Sequence, residues 1–247
     1  MRRPSLPTGD ILTEAGTVCK VITDLEFCND NQHAVPGNGK LNGAELAKVY
    51  DDYARKMYGH FETVLAQEQC ETGPTSQYSL ARNCDDCRTA YKRWLCTVAI
   101  PRCEDYSSEN NHAVPRNVGA AFPNGSFVPD QEGRTSRRQM MDVPGYNASR
   151  NSFIDEEVGP GPYKEVLPCE EICYEVVQSC PHAMGFGCPQ PGMTAFEVSY
   201  GRKSSNGELS CNYPGTPRSR PNTAGAVLPS NTLIGLLSTT ALLLLLL

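Results

Sequence analysis

The sequence predicts a mainly α, disulfide-rich domain with long loops. The 247 residues contain twelve cysteines, three segments place apolar residues at helical spacing, and the stretches between them are rich in Pro and Gly. A dense, even-numbered set of cysteines is typical of oxidised proteins outside the cytosol. One cluster comprises Cys84, Cys87, Cys96 and Cys103, a second comprises Cys169, Cys173, Cys180 and Cys188, and Cys19, Cys28, Cys70 and Cys211 lie apart.

The segment from Asn42 to Gln69 predicts a long amphipathic helix. Asn42 and Glu45 have the spacing of a capping box, which satisfies the free N–H groups of a first turn. The apolar residues form one stripe at helical spacing, which we interpret as core packing. They are Leu46, Val49, Tyr50, Tyr53, Met57, Phe61, Val64 and Leu65.

A second helix is predicted from about Asp86 to Val98. Its apolar side carries Cys87, Tyr91, Trp94, Leu95 and Val98. We expect Pro101 to end it, because proline cannot continue a helix.

A third helix is predicted to begin near Pro168, since proline is tolerated in a first turn. Its inner face would carry Cys169, Cys173, Val176 and Cys180. Pro181 would end it.

Residues 104–167 lie between the second and third helices and show no sustained periodicity. With their repeated Pro and Gly, they predict a long loop or insertion of uncertain order. Two N-glycosylation sequons, at Asn124 and Asn147, fall in this stretch. We therefore expect an exposed, glycosylated segment.

The two ends of the chain predict different processing. Residues 1–18 have basic residues but no apolar run behind them, so they do not form a secretory signal, and we expect them to be poorly ordered. Because the cysteines and sequons imply secretion, we expect a longer precursor or a truncated gene model, with the signal upstream.

The last sixteen residues, 232–247, are apolar or small. A helix of that length spans about 24 Å, less than the roughly 30 Å hydrocarbon core of a bilayer. Small residues followed by a spacer and a hydrophobic tail are typical of a GPI-attachment signal. We place the attachment region in the linker 214–231, with Asn222 preferred and Ala224 or Gly225 as alternatives; a tail anchor or short transmembrane helix stays open.

The net charge of −6 argues against nucleic acid as the partner, because phosphate binding requires clustered Lys and Arg. The compact basic run is Arg134 to Arg138. We interpret it as a solvated loop, with a dibasic processing site at Arg137 and Arg138 as the alternative.

The spacing of Cys84 and Cys87 fits a C-x-x-C redox motif, but Asp85 and Asp86 between them would disfavour a thiolate. The four histidines are dispersed without ligand spacing, so no metal site is predicted. We therefore interpret all twelve cysteines as structural and expect neither an enzyme nor a cofactor.

The runs NCDDCRTAYKRWLCTVAIPRC and PCEEICYEVVQSCPHAMGFGC resemble the C-terminal cysteine-rich region of a fungal stretch-activated calcium-channel accessory subunit, the Mid family. The resemblance spans Cys19 to Cys211. It implies an extracytosolic regulatory subunit at the plasma membrane, delivered through the endoplasmic reticulum. Its partner would be a large voltage-gated-type pore subunit that conducts calcium.

That family in turn resembles the frizzled cysteine-rich domain, which implies such a domain over residues 19–213. The matching elements are Leu95, Cys96 and Cys103, and Pro168, Cys169, Cys173 and Cys180. The resemblance implies the pairs Cys19–Cys103, Cys28–Cys96, Cys87–Cys180 and Cys173–Cys211. It leaves Cys70, Cys84, Cys169 and Cys188 to pair among themselves.

Three functions follow as expectations. The first is the accessory channel subunit, the alternative is a frizzled-like receptor or lipid-binding domain, and a secreted enzyme is the weakest. Arg88, Lys92 and Arg93 on the second helix form a cationic edge that could meet acidic loops of the pore subunit; a solvated face is the alternative.

Two acidic pairs, Asp51 with Asp52 and Glu170 with Glu171, lack the alternating ligands and glycine of a calcium loop. Calcium is therefore expected as the transported ion, without a dedicated site on this chain.

Overall fold

The computed structural model describes residues 18–71, 81–130 and 135–215. The predictions for residues 1–17, for Asn222 and for the tail 232–247 lie outside these ranges. The strands are β1 (Cys19–Val21), β2 (Ala34–Pro36), β3 (Arg102–Glu104), β4 (Ala113–Arg116) and β5 (Tyr163–Val166). The helices are α1 (Gly43–Leu65), α2 (Cys84–Ala99), α3 (Arg137–Met141), α4 (Pro144–Asn147), α5 (Glu170–Ser179) and α6 (Thr194–Glu197), with a π-helical turn at Ile154–Val158 and a 3-10 turn at His182–Met184.

The mainly α prediction is wrong. The structure is 39% helical and 12% strand, which makes it a mixed, disulfide-rich domain. Strands β1 and β2 pair antiparallel, and β3, β5 and β4 form a second antiparallel sheet in that order. Each strand has three or four residues, too few to show the alternation by which a strand is recognised in sequence.

Helix α1 forms as predicted, with the Asn42 and Glu45 capping box in place. Its buried face packs Leu46, Tyr50 and Ala54 into the main core. The Tyr50 hydroxyl donates a hydrogen bond of 2.7 Å to the carbonyl of Pro36, so the helix is tied to β2.

Helix α2 packs against both α1 and α5. The rings of Phe61 on α1 and Tyr91 on α2 stack with centroids 3.8 Å apart. The third predicted helix is shorter than expected, because α5 runs from Glu170 to Ser179. Cys169 and Cys180 therefore flank α5 instead of lying within it.

Residues 104–167, predicted as a long loop, contribute β4 and β5 to the second sheet. The fully buried carboxylate of Glu165 on β5 accepts hydrogen bonds from Arg116 at 2.6 Å and from Arg150 at 2.5 Å. Burial alone would raise the pKa of Glu165, but the two guanidinium groups outweigh it, and the pKa lies below its ordinary value. This ion-paired cluster and the strand pairing order a stretch whose composition indicated a loop.

All twelve cysteines are paired in six disulfides. Three pairs that the resemblance implied are confirmed: Cys19–Cys103, Cys28–Cys96 and Cys87–Cys180. Cys84 pairs with Cys70, so the C-x-x-C spacing belongs to two separate structural bridges, as the sequence indicated.

The prediction for Cys173 is wrong, because it pairs with Cys188, while Cys169 pairs with Cys211. The reason lies in the backbone before α5. The Cys169 N–H donates to the carbonyl of Asn212 at 3.0 Å, which places Cys169 next to Cys211. Cys173 lies one turn further along α5 and packs with Phe196 and Tyr200, near Cys188.

The helices within the described ranges are each too short or too polar to cross a bilayer.

Candidate functional site

Two of the three cations predicted as a partner-binding edge are engaged within the chain. The Arg88 guanidinium donates to Glu62 at 3.2 Å and to Asp85 at 2.9 Å. Arg93 donates to Glu175 on α5 at 2.7 Å. These two arginines therefore connect α2 to its neighbours.

Lys92 differs from both. Its Nζ lies 4.6 Å from the centroid of the Phe27 ring, a cation–π contact. Among the ion pairs of the described residues, none includes Lys92. Lys92 is thus the member of the predicted edge that has no carboxylate partner in the described part of the chain.

Lys92 lines a surface groove of about 280 Å³ between α2 and the loop of residues 27–31, which we call the Lys92 groove. One wall is α2, through Thr89, Lys92 and Arg93. The other wall is the loop, and Pro214 also lines the groove. The residues that line it are Phe27, Cys28, Asn29, Asp30, Asn31, Thr89, Lys92, Arg93, Cys96 and Pro214.

The groove is fixed from below. Its floor contains the Cys28–Cys96 disulfide, and Asn31 donates a 2.7 Å hydrogen bond to the carbonyl of Cys96. The buried Asp51 carboxylate of α1 accepts hydrogen bonds from the backbone N–H groups of Phe27 at 2.9 Å and Cys28 at 2.8 Å. The loop is therefore held to both α1 and α2.

The C-terminal end of the described chain lies at the same place. The Gly215 N–H donates to the carbonyl of Asp30 at 3.2 Å, and Pro214 lines the groove. Pro214 and Gly215, the described residues of the linker predicted to carry the membrane attachment, thus lie beside the Lys92 groove.

A second concavity, of about 440 Å³, lies between the 21–26 segment and α1. Its charges are largely paired. Lys48 bonds Asp52 at 2.6 Å, and Arg55 bonds Glu26 at 3.2 Å and Asp51 at 3.3 Å. These acidic groups already have basic partners on the same surface.

The acidic residues near α5 are also engaged. Glu170 pairs with Arg202 at 3.2 Å and Glu171 with Lys203 at 3.8 Å. Glu171 lies close to the sulfurs of Cys169 and Cys211, but those sulfurs are bonded to each other and offer no thiolate to a metal.

Both sequon asparagines are exposed. The Asn124 Oδ1 accepts hydrogen bonds from the N–H and hydroxyl of Ser126, at 3.0 and 2.7 Å. Asn147 ends α4 and lies against Gly119. Glycosylation at the two positions remains a prediction.

Sequence reasoning missed Phe27, Asp30, Asn31 and Asp51 as parts of this site. A signal was present, because the implied Cys28–Cys96 bridge places the residues around Cys28 beside the turn of α2 that precedes Cys96. Lys92 lies on that turn.

The structure is a disulfide-stabilised domain in which all twelve cysteines are paired. The family described as "stretch-activated Ca2+-permeable channel component", Mid1, matches residues 8–217. The chain belongs to this family.

Three curated relatives support the assignment. The stretch-activated cation channel yam8 of Schizosaccharomyces pombe is 37% identical over 82% of this chain and 36% of its own length. The stretch-activated cation channels MID1 of Saccharomyces cerevisiae and Cryptococcus neoformans are each 29% identical, over 82% and 55% of this chain and over 32% and 20% of their own lengths. The chain thus spans about a third or less of these relatives. No solved structure matches it.

Proposed function

We propose that this chain is the extracytosolic domain of an accessory subunit of a fungal high-affinity, stretch-activated-type calcium channel. It would support calcium influx through a separate, large voltage-gated-type pore subunit. The observation that carries the proposal is the family match across residues 8–217.

Two features of the domain support this role. Six disulfides are stable in an oxidising compartment, which suits the outer face of the plasma membrane after passage through the endoplasmic reticulum. The sequons at Asn124 and Asn147 suit the same route. Attachment through the C-terminal tail, by a GPI anchor at Asn222, completes this placement.

We propose a binding role for the domain, not catalysis. Its relatives are channel components. The Lys92 groove is held by a disulfide and by the Asp51 hydrogen bonds, so little conformational entropy would be lost when a partner binds. Both concavities described above carry charged side chains, which favours a protein partner over an acyl chain.

The test is calcium uptake and subunit capture in the fungus that carries this chain. The native gene is replaced by a version that lacks residues 19–213, and a version with Lys56→Glu, an exposed change on α1, serves as the control. We expect loss of high-affinity calcium uptake and of pore-subunit co-purification only in the deletion. Normal uptake and normal capture without the domain would contradict the proposal.

A further inference from the structure

Within the proposed function, we propose that the Lys92 groove is the docking point for an acidic side chain, Asp or Glu, on an extracytosolic loop of the channel's pore subunit. This inference rests on the proposed function and adds the surface and the chemistry of the contact.

The first step is charge. Asp30 and Glu175 are the carboxylates close to Arg93. The hydrogen bond from Arg93 to Glu175 is the main reason why the pKa of Arg93 is raised, and Asp30 adds a smaller electrostatic contribution. Glu175 is therefore compensated by Arg93, whereas Asp30 lines the groove and is in none of the ion pairs of the described residues. Lys92 contacts the Phe27 ring and is in none of the ion pairs of the described residues, so its ammonium group is available to an external carboxylate.

The second step is position. Phe27 contacts Lys92 on one side, and its backbone N–H is held by Asp51. An ammonium group that contacts a ring on an anchored backbone has fewer orientations to lose when it forms an ion pair. Less of the interaction energy is then spent on ordering the lysine.

The third step is size. Pockets for small molecules have volumes of about 300–1,000 Å³. The Lys92 groove, at about 280 Å³, has room for one or two side chains. Thr89 and Asn29 lie exposed at its rim, where they can hydrogen-bond the second carboxylate oxygen or the adjacent backbone. A single protruding Asp or Glu side chain fits the volume of the groove and matches the positive charge of Lys92.

The experiment uses the full-length protein, captured from solubilised membranes with its pore subunit. We expect Lys92→Glu to lower the amount of captured pore subunit about tenfold, because the reversed charge would repel the acidic side chain. A tenfold loss of affinity corresponds to about 1.4 kcal/mol of binding free energy. Lys92→Gln should give an intermediate loss and a weaker salt dependence of the association. Lys92→Arg should retain capture within about twofold, because it keeps the charge.

Lys56→Glu is the matched control, since it makes the same change of charge at an exposed position of α1. We expect it to leave capture unchanged. Secretion and mobility on non-reducing gels report whether each variant folds. Undiminished capture by folded Lys92→Glu would overturn the assignment of the groove as the docking point, and the proposed accessory role would stand. Absence of the pore subunit even with the unaltered protein would overturn both.

A second measurement does not depend on folding of the variants. A carbodiimide joins a lysine amine to a carboxylate in direct contact, forming an amide with no added spacer. In the unaltered complex we expect Lys92 to be linked to an Asp or Glu of the pore subunit. A captured complex in which Lys92 is never linked to the pore subunit would also overturn the proposal.

Discussion

The Asp51 carboxylate on α1 accepts a 2.8 Å hydrogen bond from the backbone N–H of Cys28, the residue whose disulfide forms the floor of the Lys92 groove. The other carboxylate oxygen accepts from the N–H of Phe27 at 2.9 Å. One buried side chain thus positions both the floor of the groove and the ring that Lys92 contacts. The shape of the groove therefore depends on Asp51, a residue that does not line it.

Replacing Asp51 tests this positioning. Asp51→Ala leaves two backbone N–H groups without their acceptor, and we expect it to lower the free energy of unfolding by about 1–3 kcal/mol. Asp52→Ala, at the neighbouring exposed position paired with Lys48, should cost clearly less, because solvent screens this pair. Denaturant unfolding under non-reducing conditions measures both. Equal losses in the two variants would contradict the assignment.

Glu165 should be among the most sensitive charged residues in the domain. Glu165→Gln removes the countercharge of Arg116 and Arg150 in a fully buried site, and we expect a loss of about 3–5 kcal/mol. Glu62→Gln is the control, because its ion pair with Arg88 is partly exposed to solvent and should contribute much less. A Glu165→Gln loss as small as that of the control would show that the buried pairs do not stabilise the sheet.

The free energy of unfolding should depend on pH through His33. Its Nε2–H donates to the carbonyl of Ile100, and burial, helped by the charge of Arg102, lowers its pKa to about 3. The unfolded chain binds the proton below about pH 6.5, whereas the folded domain does not until about pH 3. The stabilisation is therefore complete above pH 6.5 and is lost as the pH falls from there towards 3.

The measurement is the free energy of unfolding across this pH range. We expect His33 to contribute a decline on the order of 1 kcal/mol per pH unit below pH 6.5, which His33→Gln removes. His60→Gln changes an exposed histidine of α1 and should leave the decline in place. An identical pH profile for unaltered protein and His33→Gln would refute the prediction.

The disulfides should differ in their effect on stability according to the loops that they close. Cys19–Cys103 spans 84 residues and Cys70–Cys84 spans 14. In the chain-entropy account, replacing both cysteines of the longer bridge by Ala should cost about 1.5 kcal/mol more than the same change in the shorter one. Denaturant unfolding of the two double variants compares them directly. A larger loss from the shorter bridge would contradict the entropic account for this domain.

Local patterns predicted α1 well. The capping box of Asn42 and Glu45 and the apolar stripe lie within one continuous segment, so every interaction that defines this helix is visible in the sequence. The short strands were missed for the opposite reason. Glu165 on β5 meets Arg116 across 49 positions of the chain, and no periodicity within residues 104–167 indicates that contact.

One wall of the candidate site could be predicted from the sequence, and the other could not. The edge of α2 and its cations followed from helical spacing, but the difference between Lys92 and the two arginines depends on Glu62, Asp85 and Glu175, which tertiary packing brings into range. The opposite wall of the groove depends on Asp51, which holds the backbone of a loop 23–24 residues away.

The three longest helices, the family and the pairing of all twelve cysteines could be predicted from the sequence, because these depend on composition, on short-range spacing and on motifs along the chain; the short helices α3, α4 and α6 were not predicted. Two features became evident only in three dimensions: Cys169 pairs with Cys211, and Lys92 lies over Phe27 without a carboxylate partner in the described residues. Both outcomes depend on which distant segments approach each other. That approach is governed by backbone hydrogen bonds and packing between residues far apart in sequence, such as Cys169 with Asn212.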